Sequence, residues 1–508
     1  MVTIADLIAL LPQLIVAATV VILLGAVAIG RRYGVAVAWS LIGLAAAIGS
    51  IFIAGRAAPA PVTQLFAVDG FSLFFTALVL VCGFVVVLFS SGYIRFCQRH
   101  GEEYYLLLLL AVLGATVLVA ASHFVSFFLG LELLGISLYA LIAYVRGRAV
   151  AIEAGVKYLI LAALSSAFLL FGMALVYMQT GTMQFAELAL TLRSGGAAAG
   201  AAGEALGQGA ITAPLGDPLL LAGLGLATVG FGFKLAVVPF HMWTPDIYQG
   251  APAPVTAFVA TASKGAVMAL LVRFAGQLGL LEVQSFWMLI AAIAVASMFA
   301  GNLLALRQQS LKRLLAYSSI AHLGYVLVAF LAGGERGFAA VAFYLVAYAL
   351  TTLGAFGLIA VLSSHRQAEA SEAAGDVDDL TDYRGLGRRR PWLALVLALM
   401  LLSLGGIPLT AGFVGKFLVI AAGADAALWT LIILLAINGA IGIYYYLRVI
   451  VGIYLQPPPA GRPAEGLEGR VSAGGALALT VTTLLVLWLG LYPGPLLRWI
   501  TAGIAAAL

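Results

Sequence analysis

The sequence predicts an all-α polytopic membrane protein. Three observations carry this. First, 63% of the 508 residues are hydrophobic and 9% are charged, against about 25% charged in soluble globular chains. Second, about fourteen stretches are long and apolar enough to cross a hydrocarbon core, which takes about 20 residues each. Third, two of these stretches, one in each half, are interrupted by Gly and Pro. Interrupted spans at corresponding places mark an inverted repeat around a midplane site in many transporters.

Taken in order, the spans run near 7–29, 34–55, 70–92, 104–121, 124–144, 151–178, 217–241, 254–274, 287–306, 314–332, 338–362, 392–421, 427–454 and 472–497. The first is read as retained. It lacks a basic start, carries Asp6, and its apolar run is longer than a cleaved signal peptide needs. The loops between spans alternate in charge. Those around Arg31, Arg95, Arg146, Arg313, Arg388 and Arg462 hold sixteen of the 26 basic residues. The alternate loops hold five, namely Arg56, Arg193, Arg273, Arg336 and Arg498. Basic loops stay cytoplasmic, so both termini are expected outside. The remaining five, Lys157, Lys234, Lys264, Lys416 and Arg448, fall inside spans.

Three loops are long. Residues 180–216 are Gly/Ala-rich and read as a flexible outer loop. Residues 365–390 mix Glu369, Glu372, Asp376, Asp378, Asp379 and Asp382 with five arginines. They read as a solvated inner loop that offers a surface to a partner. Residues 456–470 carry Pro457, Pro458 and Pro459 and read as an inner linker. None is large enough for a catalytic domain.

The seventh and eighth spans frame the most informative stretch, GFGFKLAVVPFHMWTPDIYQGAPAPVTAFVATASK, from Gly230 to Lys264. It holds Lys234, breaks at Pro239, adds His241 and ends on Lys264 near the middle of the next span. The twelfth span echoes it in LSLGGIPLTAGFVGKF, from Leu402 to Phe417, where Gly405, Gly406 and Pro408 precede Lys416. A charge at bilayer depth costs about 2.5–3.5 kcal/mol on insertion scales, and such residues usually mark ion or proton paths.

Glu132, in FFLGLELLGISLYAL, is the one acidic residue well inside a predicted span. An ammonium removed from water releases its proton more readily, and a neighbouring carboxylate holds it on. A movable contact between Glu132 and a buried lysine therefore works as a proton switch. Lys234 and Lys264 are the leading partners. Snorkelling toward the surface is a competing account of Lys416, which lies nearer its span end. Lys157 follows Glu153 by four residues, so an interfacial ion pair and a proton entry point are equally good readings. His241 and His322 are relay candidates by their ordinary titration range, with a purely structural role nearly as good for the first and better for the second. Ser165, Ser166, Ser318 and Ser319 are expected to bond their own helix backbones. Tyr444, Tyr445 and Tyr446 read as packing or as an interfacial belt.

Two cysteines, Cys82 and Cys97, are too few for an iron–sulfur cluster, which takes about four thiolates. No Gly-rich nucleotide loop follows a strand. No metal site is expected. The residues describe a proton or cation translocator whose energy source lies in a partner or in an ion gradient.

At these motifs the chain resembles the antiporter-like membrane subunits of respiratory complex I. Their relatives occur in multi-subunit Na⁺/H⁺ antiporters and membrane-bound hydrogenases. The resemblance rests on LGLELLGISLYAL around Glu132 and EAGVKYLILAALSSAFLLFG from Glu153. VPFHMWTPDIYQGAPAPVTAFVATASK from Val238, RLLAYSSIAHLGY from Arg313 and GIPLTAGFVGKF from Gly406 add to it. The HMWTPD and GAPAPVTAF wording is similar to the N branch of bacterial NADH:quinone oxidoreductase. The resemblance implies fourteen helices with two inverted five-helix repeats. It divides the chain into residues 1–103, a first repeat at 104–286, a second at 287–455, and a linker with the last span at 456–508. It implies proton translocation through Glu132, Lys157, Lys234, Lys264 and Lys416, in a bacterial inner membrane, within a hetero-oligomer that includes sister antiporter-like subunits. NADH, flavin, iron–sulfur clusters and quinone would bind other chains, and no nucleic acid is expected. The alternative is a component of a secondary Na⁺/H⁺ antiporter.

Overall fold

The computed structural model describes residues 3–97, 101–193, 217–369, 375–457 and 471–505. Among them thirteen helices are long and apolar enough to cross a membrane, and Pro391–Gly405 is a shorter apolar helix. In order the spans are Leu11–Ile29, Tyr33–Ala57, Gly70–Cys97, Glu102–Ala120, Phe124–Ile142, Ala149–Thr180, Pro218–Leu235, Ala253–Leu278, Gln284–Ala305, Leu311–Ala332, Gly334–Glu369, the broken pair Pro391–Gly405 and Ala411–Asp425, then Trp429–Leu455 and Ala473–Leu491. They match the fourteen predicted spans in number and order. Local chemistry sets several starts. Asp217 accepts from the backbone N–H groups of Leu219 and Leu220 ahead of Pro218, and the Ser310 and Ser472 hydroxyls do the same for the tenth and fourteenth spans. A small antiparallel ribbon, Ala60–Val62 with Phe66–Val68, links the second and third spans.

The spans differ in what surrounds them. Ala253–Leu278 lies wholly inside the protein, and Leu311–Ala332 and Gly334–Ser364 nearly so. The first, sixth and thirteenth spans leave much of their apolar surface exposed, which is the face a lipid solvent covers. The interior helices are the ones that carry Lys264 and His322.

The two halves repeat one packing scheme. The fourth span packs on the fifth, and the ninth on the tenth. Both hairpins close on small residues. A Cβ on Gly114 would come within 2.5 Å of the Leu134 backbone nitrogen, and one on Gly301 within 2.5 Å of that of Ala321. Such close backbone approach replaces the hydrophobic drive that lipid removes.

Both halves also contain a helix ended by the same motif. In the seventh span Ala236 adopts a left-handed φ of 61°, its N–H donates to Phe233 and that of Val237 to Gly232. In the twelfth Gly406 has φ 81°, its N–H donates to Ser403 and that of Ile407 to Leu402. This is a Schellman termination, and it leaves backbone groups at depth that need partners. The Trp243 indole donates to the Phe233 carbonyl and the Ser297 hydroxyl accepts from the Val238 N–H, at 3.0 and 2.9 Å. A short helix, Trp243–Gly250, resumes the first break, and Ala411–Asp425 the second.

The inner loop departs from its expectation. Asp376 and Asp378 are not solvated. Asp376 is buried between Lys312 and Arg148, at 2.7 and 3.0 Å, and accepts from the Tyr93 hydroxyl and the Ala253 N–H. Burial pushes its carboxyl up, and the two cations pull it below the usual carboxylate range. Asp378 accepts from Ser310, from the Lys312 N–H and from Gln249. Lys312, next to Arg313 of the basic loop, is fully buried and also donates to the Gln249 and Ala251 carbonyls. Arg273 likewise lies inside the eighth span, held by two 2.8 Å bonds to Asp69. Such pairing offsets the cost of removing these cations from water.

Part of the predicted flexible loop is a helix, Phe185–Arg193. Phe185, Leu188 and Leu192 are buried, and Phe185 meets Phe124 and Phe274 edge-on. Residues 194–216, the Glu372 region and residues 458–470 lie outside the described residues.

Candidate functional site

The predicted charged residues gather along the interior in two groups. In the first, Glu132 faces the sixth span and accepts a short hydrogen bond from Ser166. Lys234 is 3% exposed. Its Nζ lies 5.5 Å from the centre of the Tyr158 ring, a cation–π geometry, and has no hydrogen-bond partner among the described residues. No ion pair joins Glu132 to Lys234 among the described residues. The expected contact is therefore open here, with Glu132 held by a serine and Lys234 by an aromatic face. Ser166 does not bond its own backbone as expected.

The second group is a series of neighbouring hydrogen-bonded clusters, the first two meeting where the His322 and Tyr348 rings lie 5.5 Å apart. Lys264 donates to the Ser319 hydroxyl at 2.6 Å and sits 5.5 Å from the Tyr248 ring centre. Ser319 also accepts from Tyr348 at 2.7 Å. His322, one turn along the same helix, contacts Tyr344 through Nδ1 at 2.8 Å and Tyr446 through Nε2 at 3.1 Å. Tyr446 closes a short hydrogen bond with Ser318. Lys416 lies 5.5 Å from the ring centre of Tyr325, whose hydroxyl accepts from Asn302, and Asn302 in turn bonds Asn438 and Tyr445. Polar side chains thus run from Lys264 past His322 to the neighbourhood of Lys416, deep among apolar helices. Hydroxyls and imidazole both donate and accept, which is the chemistry a proton relay needs.

Several assignments change. Lys416 does not snorkel to a surface. Its Nζ turns inward and donates to the Gly405 carbonyl at 2.8 Å, one of the acceptors freed by the helix break. Ser318 and Ser319 bond side chains rather than backbone, and Tyr445 and Tyr446 belong to the buried network, while Tyr444 is exposed. Lys157 is half exposed, bonded to Glu153 at 2.8 Å and Asp246 at 3.0 Å, beside a cavity of about 190 Å³. Asp246 also pairs with Arg313 at 2.8 Å. No hydrogen bond or ion pair among the described residues joins Lys157 to either group. His241 sits in the turn after the first break, partly exposed, with Nδ1 buried and unpartnered.

Sequence reasoning missed three features. A π-turn, Val259–Ser263, immediately precedes Lys264; such insertions cluster at functional sites. The tyrosines at 158, 248, 325, 344 and 348 supply most partners of the charged groups. Their spacing was readable, since Tyr344 and Tyr348 are four apart in one span, but spacing alone does not say which face meets a lysine. Arg448 crosses from the thirteenth span to cap the ninth, donating to the Leu306 and Gln308 carbonyls at 2.7 Å each.

Residues 121–442 match the family described as NADH:quinone oxidoreductase/Mrp antiporter, transmembrane. The whole chain is similar to a chain of respiratory complex I from Thermus thermophilus at 34% identity, covering 97% of this chain and 100% of that one, with a TM-score of 0.76. It also shares its fold with a chain of the archaeal membrane-bound sulfane sulfur reductase, at 24% identity, 99% and 97% coverage and a TM-score of 0.78. A chain of the Mrp complex from Dietzia sp. DQ12-45-1b matches at 21% identity, 99% and 97% coverage and a TM-score of 0.82.

Proposed function

This multi-pass membrane protein belongs to the NADH:quinone oxidoreductase/Mrp antiporter transmembrane family, and we propose on that premise that it moves protons across the membrane as the N-type subunit of an NADH:quinone oxidoreductase. The observation that carries the reading is the set of buried polar clusters at Lys264 and Ser319, at His322, and at Lys416, together with Glu132 and Lys234 of the first group. Lys234 and Lys264 hold and release the proton, Glu132 sets when Lys234 keeps it, and His322 with its tyrosines hands it on. Lys416 marks the outlet side. His241 and Lys157 serve as relay and entry candidates.

The energy comes from redox chemistry in other subunits, where NADH, flavin, iron–sulfur clusters and quinone bind. The chain sits in a bacterial inner membrane with both termini outside, among sister antiporter-like subunits. The 34% identity over nearly the whole complex I chain favours this over a role in a secondary Na⁺/H⁺ antiporter, whose Mrp likeness at 21% identity speaks to fold.

The test is a native gel of mildly solubilised membranes stained for NADH dehydrogenase activity. The chain is expected in the active band. If it migrates elsewhere, without NADH activity and with Na⁺-dependent transport, the antiporter reading replaces this one.

A further inference from the structure

Two polar atoms near the first group lack partners. The Lys234 Nζ and the Tyr139 hydroxyl are both buried with no hydrogen bond among the described residues. They flank the same glycine. A Cβ built on Gly135 would lie 3.1 Å from Lys234 Nζ and 3.2 Å from the Tyr139 oxygen, so the missing side chain leaves a notch that both atoms border. Across such a notch an ammonium and a phenol meet directly or through one bridging water. Glu132, Gly135 and Tyr139 share one face of the fifth span, by their spacing of three and four residues. The Tyr139 ring is itself fixed, edge-on to Tyr158 at 5.5 Å between centroids, and Tyr158 is the ring that Lys234 lies against.

We propose that Tyr139 is a positioning residue for Lys234: across the Gly135 notch its phenol oxygen accepts a hydrogen bond from the ammonium and gives it a second resting place, away from Glu132. Tyr139 stays a neutral phenol throughout. The proton that leaves Lys234 passes on along the axis, and the amine left behind accepts the next one when Glu132 closes on it. Gly135 is required because any side chain there fills the notch.

The inference rests on the proton-translocating role proposed above, and the variants separate the two. Membranes with the assembled complex are energised with NADH, and proton flux is measured beside NADH oxidation for Tyr139→Phe, Gly135→Ala, the double variant and Lys234→Ala. Tyr139→Phe keeps the ring and its packing, so it is expected to assemble. Losing a hydrogen bond to a charged group predicts a fall in this subunit's proton flux of about tenfold or more. Gly135→Ala should match it, and the double variant should be no worse than either single, because both changes act at one notch. Ring-labelled tyrosine should show a phenol C–O band in turnover-difference infrared spectra that Tyr139→Phe removes and Lys234→Ala perturbs. A tyrosine that only packs would give no such band. Wild-type flux in Tyr139→Phe without that band, alongside loss of flux in Lys234→Ala, overturns the notch alone. Wild-type flux in Lys234→Ala overturns the proposed function itself.

Discussion

Lys234 is the residue on which most depends, and its surroundings explain how a lysine survives there. It is buried, has no hydrogen bond among the described residues, and rests against Tyr158. Removing such a group costs the fold little, because no partner is left unpaired. Lys234→Ala is therefore expected to assemble while proton flux through this subunit is abolished or strongly reduced, measured as the quench of a ΔpH dye against NADH oxidation. Lys234→Arg should impair flux too, since a guanidinium does not give up its proton at accessible pH. Normal flux in either variant removes Lys234 from the pathway. Glu132 and Lys234 were both legible in the sequence, because an ionisable residue in an apolar run stands out. Their separation was not. Whether a carboxylate faces a lysine or a serine depends on helix rotation, and Ser166 sits on another span.

The broken helices are the next scale up. Each ends in a left-handed residue, yet one is Ala236 and the other Gly406. A non-glycine residue in that conformation costs about 1–2 kcal/mol, so the first break is strained and the second is not. Gly406 has a further reason to be glycine, since a Cβ there would sit 2.7 Å from Cδ of Lys416. Gly406→Ala is expected to lower stability by about 1–2 kcal/mol from the backbone alone and to dislodge Lys416 from the Gly405 carbonyl. Ala236→Gly should leave stability unchanged or raise it. Thermal unfolding of the solubilised protein compares the two, and equal losses would sink the argument. The breaks themselves were readable from Gly405, Gly406, Pro408 and Pro239. The π-turn before Lys264 was not, since VATAS holds no residue that interrupts a helix.

Across the whole molecule, Asp376 ties the structure together at the end where the basic loops gather. It joins Tyr93 of the third span, Arg148 before the sixth, Ala253 at the start of the eighth and Lys312 in the tenth. These elements come from four different spans, far apart in the chain. Asp376→Asn leaves two buried cations short of an anion, so a loss of about 3–5 kcal/mol is expected, seen as a lower thermal midpoint or failure to accumulate. The sign of the pH effect follows from its lowered carboxyl. A depressed folded value contributes stability that is complete above the unfolded value of 3.8 and drains away as pH falls through the folded one. Acid sensitivity below about pH 4 should thus be weaker in Asp376→Asn than in the parent. An unchanged acid response would mean that Asp376 is not the group responsible.

By itself the sequence determined the membrane class, the order of the spans, the two interrupted helices and the charged residues that bilayer depth makes expensive. These are local properties, set by runs of about 20 residues and by Gly and Pro, and they need no knowledge of what packs on what. Tertiary structure alone decided the partners. It turned Lys416 inward to a carbonyl, put His322 between Tyr344 and Tyr446, and drew Asp376 out of an acidic loop into a buried cluster. The reason is that a polar group's state in a dry interior is set by the few atoms within hydrogen-bond reach, and those atoms come from spans far away in the chain.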